Sequence, residues 1–247
     1  MSRLLAAEFL KIRTLRSVWG FLIVTAGLAG LFAAGGIGGE SEEGRLETDY
    51  QFRLALDSAF APSILALVLG IVLFTNEYRH GTITRTLLVT PRRNHMLVAK
   101  LITGGLVGVA LMALAVVVAA LVAVIWLGII EVPLEPGDAA RGAGRAFVGL
   151  ALAGILGVAV GGAVQSQVGA LVGALVWLFV AEPLTWVLLG LLDVGGAADY
   201  LPGAWFLGIS DSSEERKSFL VFVAVGVGYV ALASAIAVVR TARRDVT

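Results

Sequence analysis

Residues 101–130, LITGGLVGVALMALAVVVAALVAVIWLGII, contain no charged side chain and no proline. A helix needs about 20 apolar residues to cross a hydrocarbon core roughly 30 Å thick. This stretch exceeds that length, so it predicts a transmembrane helix that tilts or projects beyond the bilayer.

Outside this stretch the chain repeats the same pattern. Of its 247 residues 58% are hydrophobic, 31 are glycine and none is cysteine, and the mean hydropathy is +0.93. We predict an all-α polytopic membrane protein, one domain over residues 1–247, with about six transmembrane helices. The predicted spans are 18–36, 59–74, 101–130, 146–164, 168–192 and 219–239. A cleaved secretory signal is the less favoured interpretation of the first span.

Basic residues are unevenly distributed among the connections. Twelve of the 18 lie before span one, between spans two and three, or after span six: Arg3, Lys11, Arg13, Arg16, Arg79, Arg85, Arg92, Arg93, Lys100, Arg240, Arg243 and Arg244. Because cytoplasmic connections are enriched in Lys and Arg, both termini are predicted to be cytoplasmic, in a bacterial-type inner membrane. Residues 40–57 and 193–217 are then outside.

The common catalytic motifs are missing from the sequence. There is no phosphate-binding G-x-x-x-x-G-K-[ST] loop, and the two histidines, His80 and His95, share one connection, which makes a zinc site improbable. The paired acids Glu42-Glu43 and Glu214-Glu215 lie in outside connections, so an intramembrane protease is disfavoured. We therefore expect no enzyme activity in this chain, no cofactor, no metal and no nucleic-acid partner.

The connection after span two carries the most specific pattern. Residues 76–93 read NEYRHGTITRTLLVTPRR. This resembles the E-x-x-x-G-T … L-L-x-x-P-x-R signature of ABC type-2 (ABC-2) transporter permeases. The resemblance implies a cytoplasmic coupling helix that docks on a separate ATP-binding cassette subunit. The residues implied in coupling are Glu77, Gly81, Thr82, Arg85, Leu87, Leu88 and Pro91.

The residues of that connection support the same interpretation by themselves. Ile83, Leu87 and Leu88 make a modest apolar face, and Pro91 ends the helix. Gly81 is costly inside a helix and more consistent with a bend. The alternative is a loop whose arginines only set the topology or contact anionic lipid.

Two other segments carry weaker similarity. Glu8 and Lys11 resemble the E-x-x-K segment of the family's interfacial elbow helix, here residues 1–16. The alternative is a plain extension of span one. In span five, Glu182-Pro183-Leu184 resembles a recurrent pattern of bacterial members, and Tyr200-Leu201-Pro202 resembles the outer re-entrant segment. Glu182 and Pro183 are candidates for the pathway or the seam between protomers, the alternative being a carboxylate that reaches the outer headgroups.

The function implied by the resemblance is the permease subunit of an ABC exporter. Its expected partners are the ATP-binding subunit, which hydrolyses ATP, a second permease protomer, identical or homologous, and the lipid bilayer. The alternative is a non-transporting assembly factor or regulatory anchor. The glycine pairs Gly104/Gly108, Gly157/Gly161 and Gly169/Gly173 suit helix packing within one protomer or between two.

Overall fold

The fold is seen in a computed structural model that describes residues 2–42, 63–83, 93–129, 139–205 and 219–242. The regular structure of these ranges is entirely helical, which confirms the all-α prediction. In chain order the helices are α1 (Ser2–Thr14), α2 (Arg16–Glu42), α3 (Ser63–Arg79), α4 (Arg93–Ile129), α5 (Ala139–Val164), α6 (Gln167–Val176), α7 (Glu182–Leu191) and α8 (Phe219–Ala242). A π-helical turn, Trp177–Ala181, joins α6 to α7, and a 3₁₀-helix, Gly195–Tyr200, follows α7.

The predicted polytopic character is confirmed by the length and composition of these helices. Five stretches are long and apolar enough to cross a membrane: Arg16–Gly36, Asn94–Trp126, Gly144–Val164, Gln167–Leu191 and Phe219–Thr241. They correspond to five of the six predicted spans. The other predicted span, 59–74, overlaps α3, which has 17 residues. Residues 59–62 of that predicted span lie outside the described ranges. Span two therefore stays a prediction.

Helix α5 lies at the centre of the bundle, packed against α3, α4 and α8. Glycines permit the close approach: a Cβ at Gly108 would overlap the carbonyl oxygen of Leu150, and a Cβ at Gly157 would overlap that of Leu67. Two of the three glycine pairs thus serve packing within the chain. Gly173, from the third pair, has no atom within 4 Å of the position of a Cβ.

The two ends of the bundle differ in charge. One end holds α1, the last turn of α3, the start of α4 and the last turn of α8, and it is called the basic end below. There Arg79 donates to Gln167 and Gln165 donates to Thr241, both at 3.4 Å. The opposite end holds the segment of residues 195–205, called the far-end segment.

Several helices extend beyond the predicted spans. Two departures from the predicted spans have identifiable reasons. Helix α4 begins at Arg93, eight residues before the predicted start at 101, because Met96, Leu97 and Lys100 are buried and keep the helix packed beyond its apolar run. The predicted span 168–192 is interrupted by the π-helical turn. Pro183 has no N–H and donates no backbone hydrogen bond. The N–H of the residue before it, Glu182, bonds to the carbonyl of Trp177, five residues earlier, as in a π-helix.

Candidate functional site

Four charged side chains meet at the basic end, drawn from three helices. Lys11 Nζ donates to Glu77 Oε1 at 2.6 Å and to Glu8 Oε1 at 2.8 Å. Lys100 Nζ donates to the same Glu77 oxygen at 2.7 Å and to Glu8 Oε2 at 3.4 Å. The group, called the charge cluster below, thus links α1 to the end of α3 and the start of α4.

The charge cluster is mostly removed from solvent. The residues Glu8, Glu77 and Lys100 are 9%, 6% and 3% exposed, whereas the Lys11 side chain remains 42% exposed. The Lys100 ammonium also lies 5.6 Å from the centre of the Phe74 ring, within the range of a cation–π interaction. Two acids and two bases balance in formal charge, so their mutual attraction offsets part of the cost of removing each charge from water.

The pKa values of two members move in opposite directions. Burial alone would raise the pKa of the Glu77 carboxyl, but Lys100 and Lys11 outweigh it and hold that pKa below 4.5. Burial alone would lower the pKa of Lys11, but Glu77 and Glu8 raise it above 10.5. The stabilising contribution of Glu77 is present above the ordinary pKa of a glutamate and is lost as the pH falls through its lowered pKa. That of Lys11 is present below the ordinary pKa of a lysine and is lost as the pH rises through its raised pKa.

The chain turns sharply immediately after the charge cluster. Gly81 has a φ of 65°, the left-handed conformation that glycine adopts without strain. Its N–H bonds to the Tyr78 carbonyl, and the N–H of Thr82 bonds to the Glu77 carbonyl. These two bonds form a Schellman motif, which satisfies the last carbonyls of α3 and ends the helix. The Gly-Thr pair therefore sets the direction in which the chain leaves Glu77.

A cavity of about 380 Å³ adjoins the charge cluster on the side of α1 and α3. Glu8, Lys11, Asn76, Glu77 and His80 contribute to its walls. Within the described ranges, Glu77 Oε2 has no hydrogen-bond partner although it is buried. The lysines therefore compensate the Glu77 charge through one oxygen only.

A second polar site lies toward the opposite end of the bundle. Glu182 is 7% exposed, and its carboxylate accepts a hydrogen bond from the N–H of Gly203 and another from the N–H of Ala204, each at 2.7 Å. A carboxylate at the start of a helical turn complements the free amides found there. Glu182 is thus directed at the chain's own far-end segment.

Comparison with known proteins identifies the chain's relatives. The profile of the ABC-2 family transporter protein matches residues 4–136. The chain belongs to the ABC-2 transporter family. No relative among curated proteins matches it. Membership makes the chain the multi-pass membrane permease of an ABC transporter, and the matched range includes all four residues of the charge cluster.

The ABC-2 signature residues divide into those placed by the structure and those outside its described ranges. Glu8, Lys11 and Glu77 come together, and Gly81 and Thr82 form the turn beside them. The remaining residues implied in coupling lie outside the described residues: Arg85, Leu87, Leu88 and Pro91. Glu182 and Pro183 lie apart from this group, beyond the range matched by the family.

Sequence reasoning missed Lys100, the most buried base of the ABC-2 charge cluster. It was counted only among the residues that set topology, although a lysine seven residues into the long helix α4 leaves an ammonium that needs an acid. Gly203 was missed as well: a Cβ there would lie 2.6 Å from Glu182 Oε1. No local pattern indicates that contact, because 21 residues separate the two positions.

Proposed function

We propose that this ABC-2 chain is the permease subunit of an exporter, driven by a separate ATP-binding subunit. The observation that carries the proposal is the charge cluster, which links α1, α3 and α4 on the two sides of residues 84–92 of the signature connection. A force applied to that segment would reach three helices together. Such a link suits a permease that converts the movement of a partner into rearrangement of its spans.

The proposed partner docks on the segment that begins at the Gly81–Thr82 turn. Leu87 and Leu88 are its proposed apolar anchors, and Arg85 a charged group at the rim. Small interfaces depend on a few buried anchors, so the contact does not need to be large. ATP hydrolysis belongs to the partner in this proposal, because the 247 residues contain no phosphate-binding loop.

A second protomer, identical or homologous, completes the proposed pathway. Among the described residues, little covers the apolar faces of helices α6 to α8: only 6% of the membrane window Gln167–Leu191 and 11% of Phe219–Thr241 are buried. Export would then proceed by alternating exposure of a site between protomers, without a covalent step.

The proposed orientation places the basic end in the cytoplasm of a bacterial-type inner membrane, with both termini inside. The excess of Lys and Arg in the connections at this end supports it. Export is the direction that the resemblance to ABC-2 exporters implies. The far-end segment then faces the outside of the cell.

The test changes one proposed anchor, Leu87→Asp. A carboxylate placed in a dry docking groove would weaken the complex by at least about 2 kcal/mol, or about thirtyfold in affinity. The proposed ATP-binding subunit should then fail to co-purify, and export should be lost, while the amount of permease in the membrane stays normal. Copy numbers in the purified complex and transport in vesicles measure these effects.

The matched control is Arg53→Asp, which also adds one acidic group but in a connection expected outside. It should retain the ATP-binding subunit. If Leu87→Asp keeps the subunit at wild-type stoichiometry and still exports, the docking assignment is wrong. If no ATP-binding subunit co-purifies with the wild-type chain, the non-transporting anchor becomes the better interpretation.

A further inference from the structure

The signature connection, residues 76–93, packs against the start of α4 through apolar contacts outside the charge cluster. Ile83 is 6% exposed and Met96 2%, and the two pack together with Tyr78 in a small cluster. The predicted apolar face of the connection is therefore divided. Ile83 is covered by the permease itself, so it is not available as an anchor for a partner.

Tyr78 also packs against a second cluster, which lies deeper in the bundle. That cluster joins four helices through buried residues: Phe74 of α3, Leu97 of α4, Val158 of α5 and Ala237 of α8. Tyr78 thus contacts the base of the signature connection on one side and a meeting point of α5 and α8 on the other.

The contact between Tyr78 and the deeper cluster is an aromatic pair. The rings of Phe74 and Tyr78 are stacked, with their centres 5.7 Å apart and their planes inclined by 20°, within the range of favourable aromatic pairs. Beyond it, a Cβ at Gly162 of α5 would lie 3.2 Å from Cζ of Phe74 and 2.9 Å from the Cβ of Ala237. The Phe74 ring therefore fills the space that Gly162 leaves between α5 and α8.

This apolar route reaches helices that the charge cluster does not contact. The charge cluster links α1, α3 and α4, whereas the aromatic pair leads from the signature connection to α5 and α8. Close-packed interiors are hardly compressible, so a displaced ring displaces its neighbours. A shift of Ile83 would move the Tyr78 ring, and through Phe74 it would act on the contact between α5 and α8.

We propose that Tyr78 and Phe74 are positioning residues that carry movement of the signature connection to the contact between α5 and α8. Neither residue touches the partner in this proposal, because Ile83 and Met96 stand on the side of the connection. The source of the movement, an ATP-binding subunit bound to that connection, is taken from the proposed function. The packed route itself does not depend on it.

The first experiment tests the route in the isolated chain. Ile83→Ala removes a contact at one end, and Gly162→Ala presses on Phe74 at the other. Each variant and their combination are unfolded at equilibrium in mixed detergent micelles. Sites without shared partners are additive, whereas coupled sites should depart from additivity by about threefold or more in the unfolding equilibrium constant. The matched control pairs Ile83→Ala with Gly144→Ala, also in α5, where a Cβ has no atom within 4 Å.

The same cycle is then repeated with Tyr78 changed. Tyr78→Phe keeps the ring and should keep the coupling, whereas Tyr78→Leu removes the ring and should restore additivity. Additive effects of Ile83→Ala and Gly162→Ala in the wild-type background overturn the inference. Coupling that persists unchanged in Tyr78→Leu overturns it as well, because the route would then bypass this residue.

The second experiment uses the complex with the proposed ATP-binding subunit. Val238→Cys, in α8 beside the deeper cluster, is the single cysteine of a chain that has none of its own. A non-hydrolysable ATP analogue should change its rate of labelling by a small thiol reagent at least about threefold. The change should persist in Tyr78→Phe and disappear in Tyr78→Leu, while the subunit still co-purifies with both.

The outcomes separate this inference from the proposed function. A nucleotide effect that survives Tyr78→Leu, or loss of the subunit from Tyr78→Leu alone, contradicts the positioning role. So does the absence of any nucleotide effect in a wild-type background that retains the subunit. If no subunit co-purifies with the wild-type chain, the proposed function fails, and the unfolding cycle still decides whether the aromatic pair couples the two ends.

Discussion

At the scale of single residues, the buried carboxylate of Glu77 depends most on its ion-pair partners. Both lysines donate to its Oε1, and no described residue donates to Oε2. Removing one base from a buried ion pair costs roughly 3–5 kcal/mol when no other partner remains. Here Lys11 remains, but it is far more exposed than Lys100 and more strongly screened by water. Lys100 should therefore be the more important of the two bases.

The resulting prediction concerns Lys100→Met, which keeps the length of the side chain and removes the charge. It should destabilise the fold by about 2–3 kcal/mol, below the full cost of an unpaired buried charge because Lys11 is retained. Equilibrium unfolding in mixed detergent micelles measures the change. Lys11→Met, at the more exposed position, should cost less.

The pairing itself is tested by the double variant Glu77→Gln/Lys100→Met. It removes the acid together with its base, so it should be more stable than Lys100→Met alone. Additive losses in the double variant would contradict an interaction between Glu77 and Lys100.

At the scale of helices, the packing of α5 depends on the absence of side chains. Its carbonyls and Cα atoms contact glycines of α3 and α4 closely enough that a single methyl group would overlap backbone. Backbone cannot move aside as the end of a flexible side chain can. The glycines on these faces therefore determine the distances between helices.

The corresponding prediction is that Gly157→Ala destabilises the bundle. Its Cβ would overlap the Leu67 carbonyl and lie 3.1 Å from the Gly70 Cα. Overpacking of this kind costs about 1–3 kcal/mol. Gly20→Ala, where a Cβ has no atom within 4 Å, should be neutral or slightly stabilising. Thermal unfolding in detergent compares the two, and equal stability would show that the α3–α5 contact is looser than described.

At the scale of the whole molecule, the distribution of basic residues distinguishes the two ends of the bundle. The charge cluster and the Gly81–Thr82 turn lie at one end, and the far-end segment at the other. The proposed docking surface and the far-end segment are therefore separated by the length of the transmembrane helices.

The prediction at this scale is the topology. A cysteine at Glu43 should react with an impermeant reagent in intact cells, whereas one at Thr90 should react only after permeabilisation. The native chain lacks cysteine, so each label reports a single site. The reverse pattern at both positions would invert the orientation and, with it, the cytoplasmic docking surface.

The amino-acid sequence by itself determined the helical, polytopic character of the chain, five of its spans and the resemblance to ABC-2 permeases. Insertion of a helix into lipid depends on local composition and length, and a family signature is likewise local, so both can be recognised without tertiary information. The Gly81 bend was also predictable, because glycine is disfavoured inside a helix and common just after its end.

Only the tertiary structure decided which polar groups meet. Glu77 lies 66 positions from Lys11, Lys100 lies 92 from Glu8, and the Glu182 carboxylate bonds to amides 21 and 22 positions away. Such contacts depend on how deeply each helix sits and how it is rotated against its neighbours. Apolar helices can pack against one another in many relative positions along and around their axes. The close approach of helix backbones at a few glycines determines which of these positions the bundle adopts.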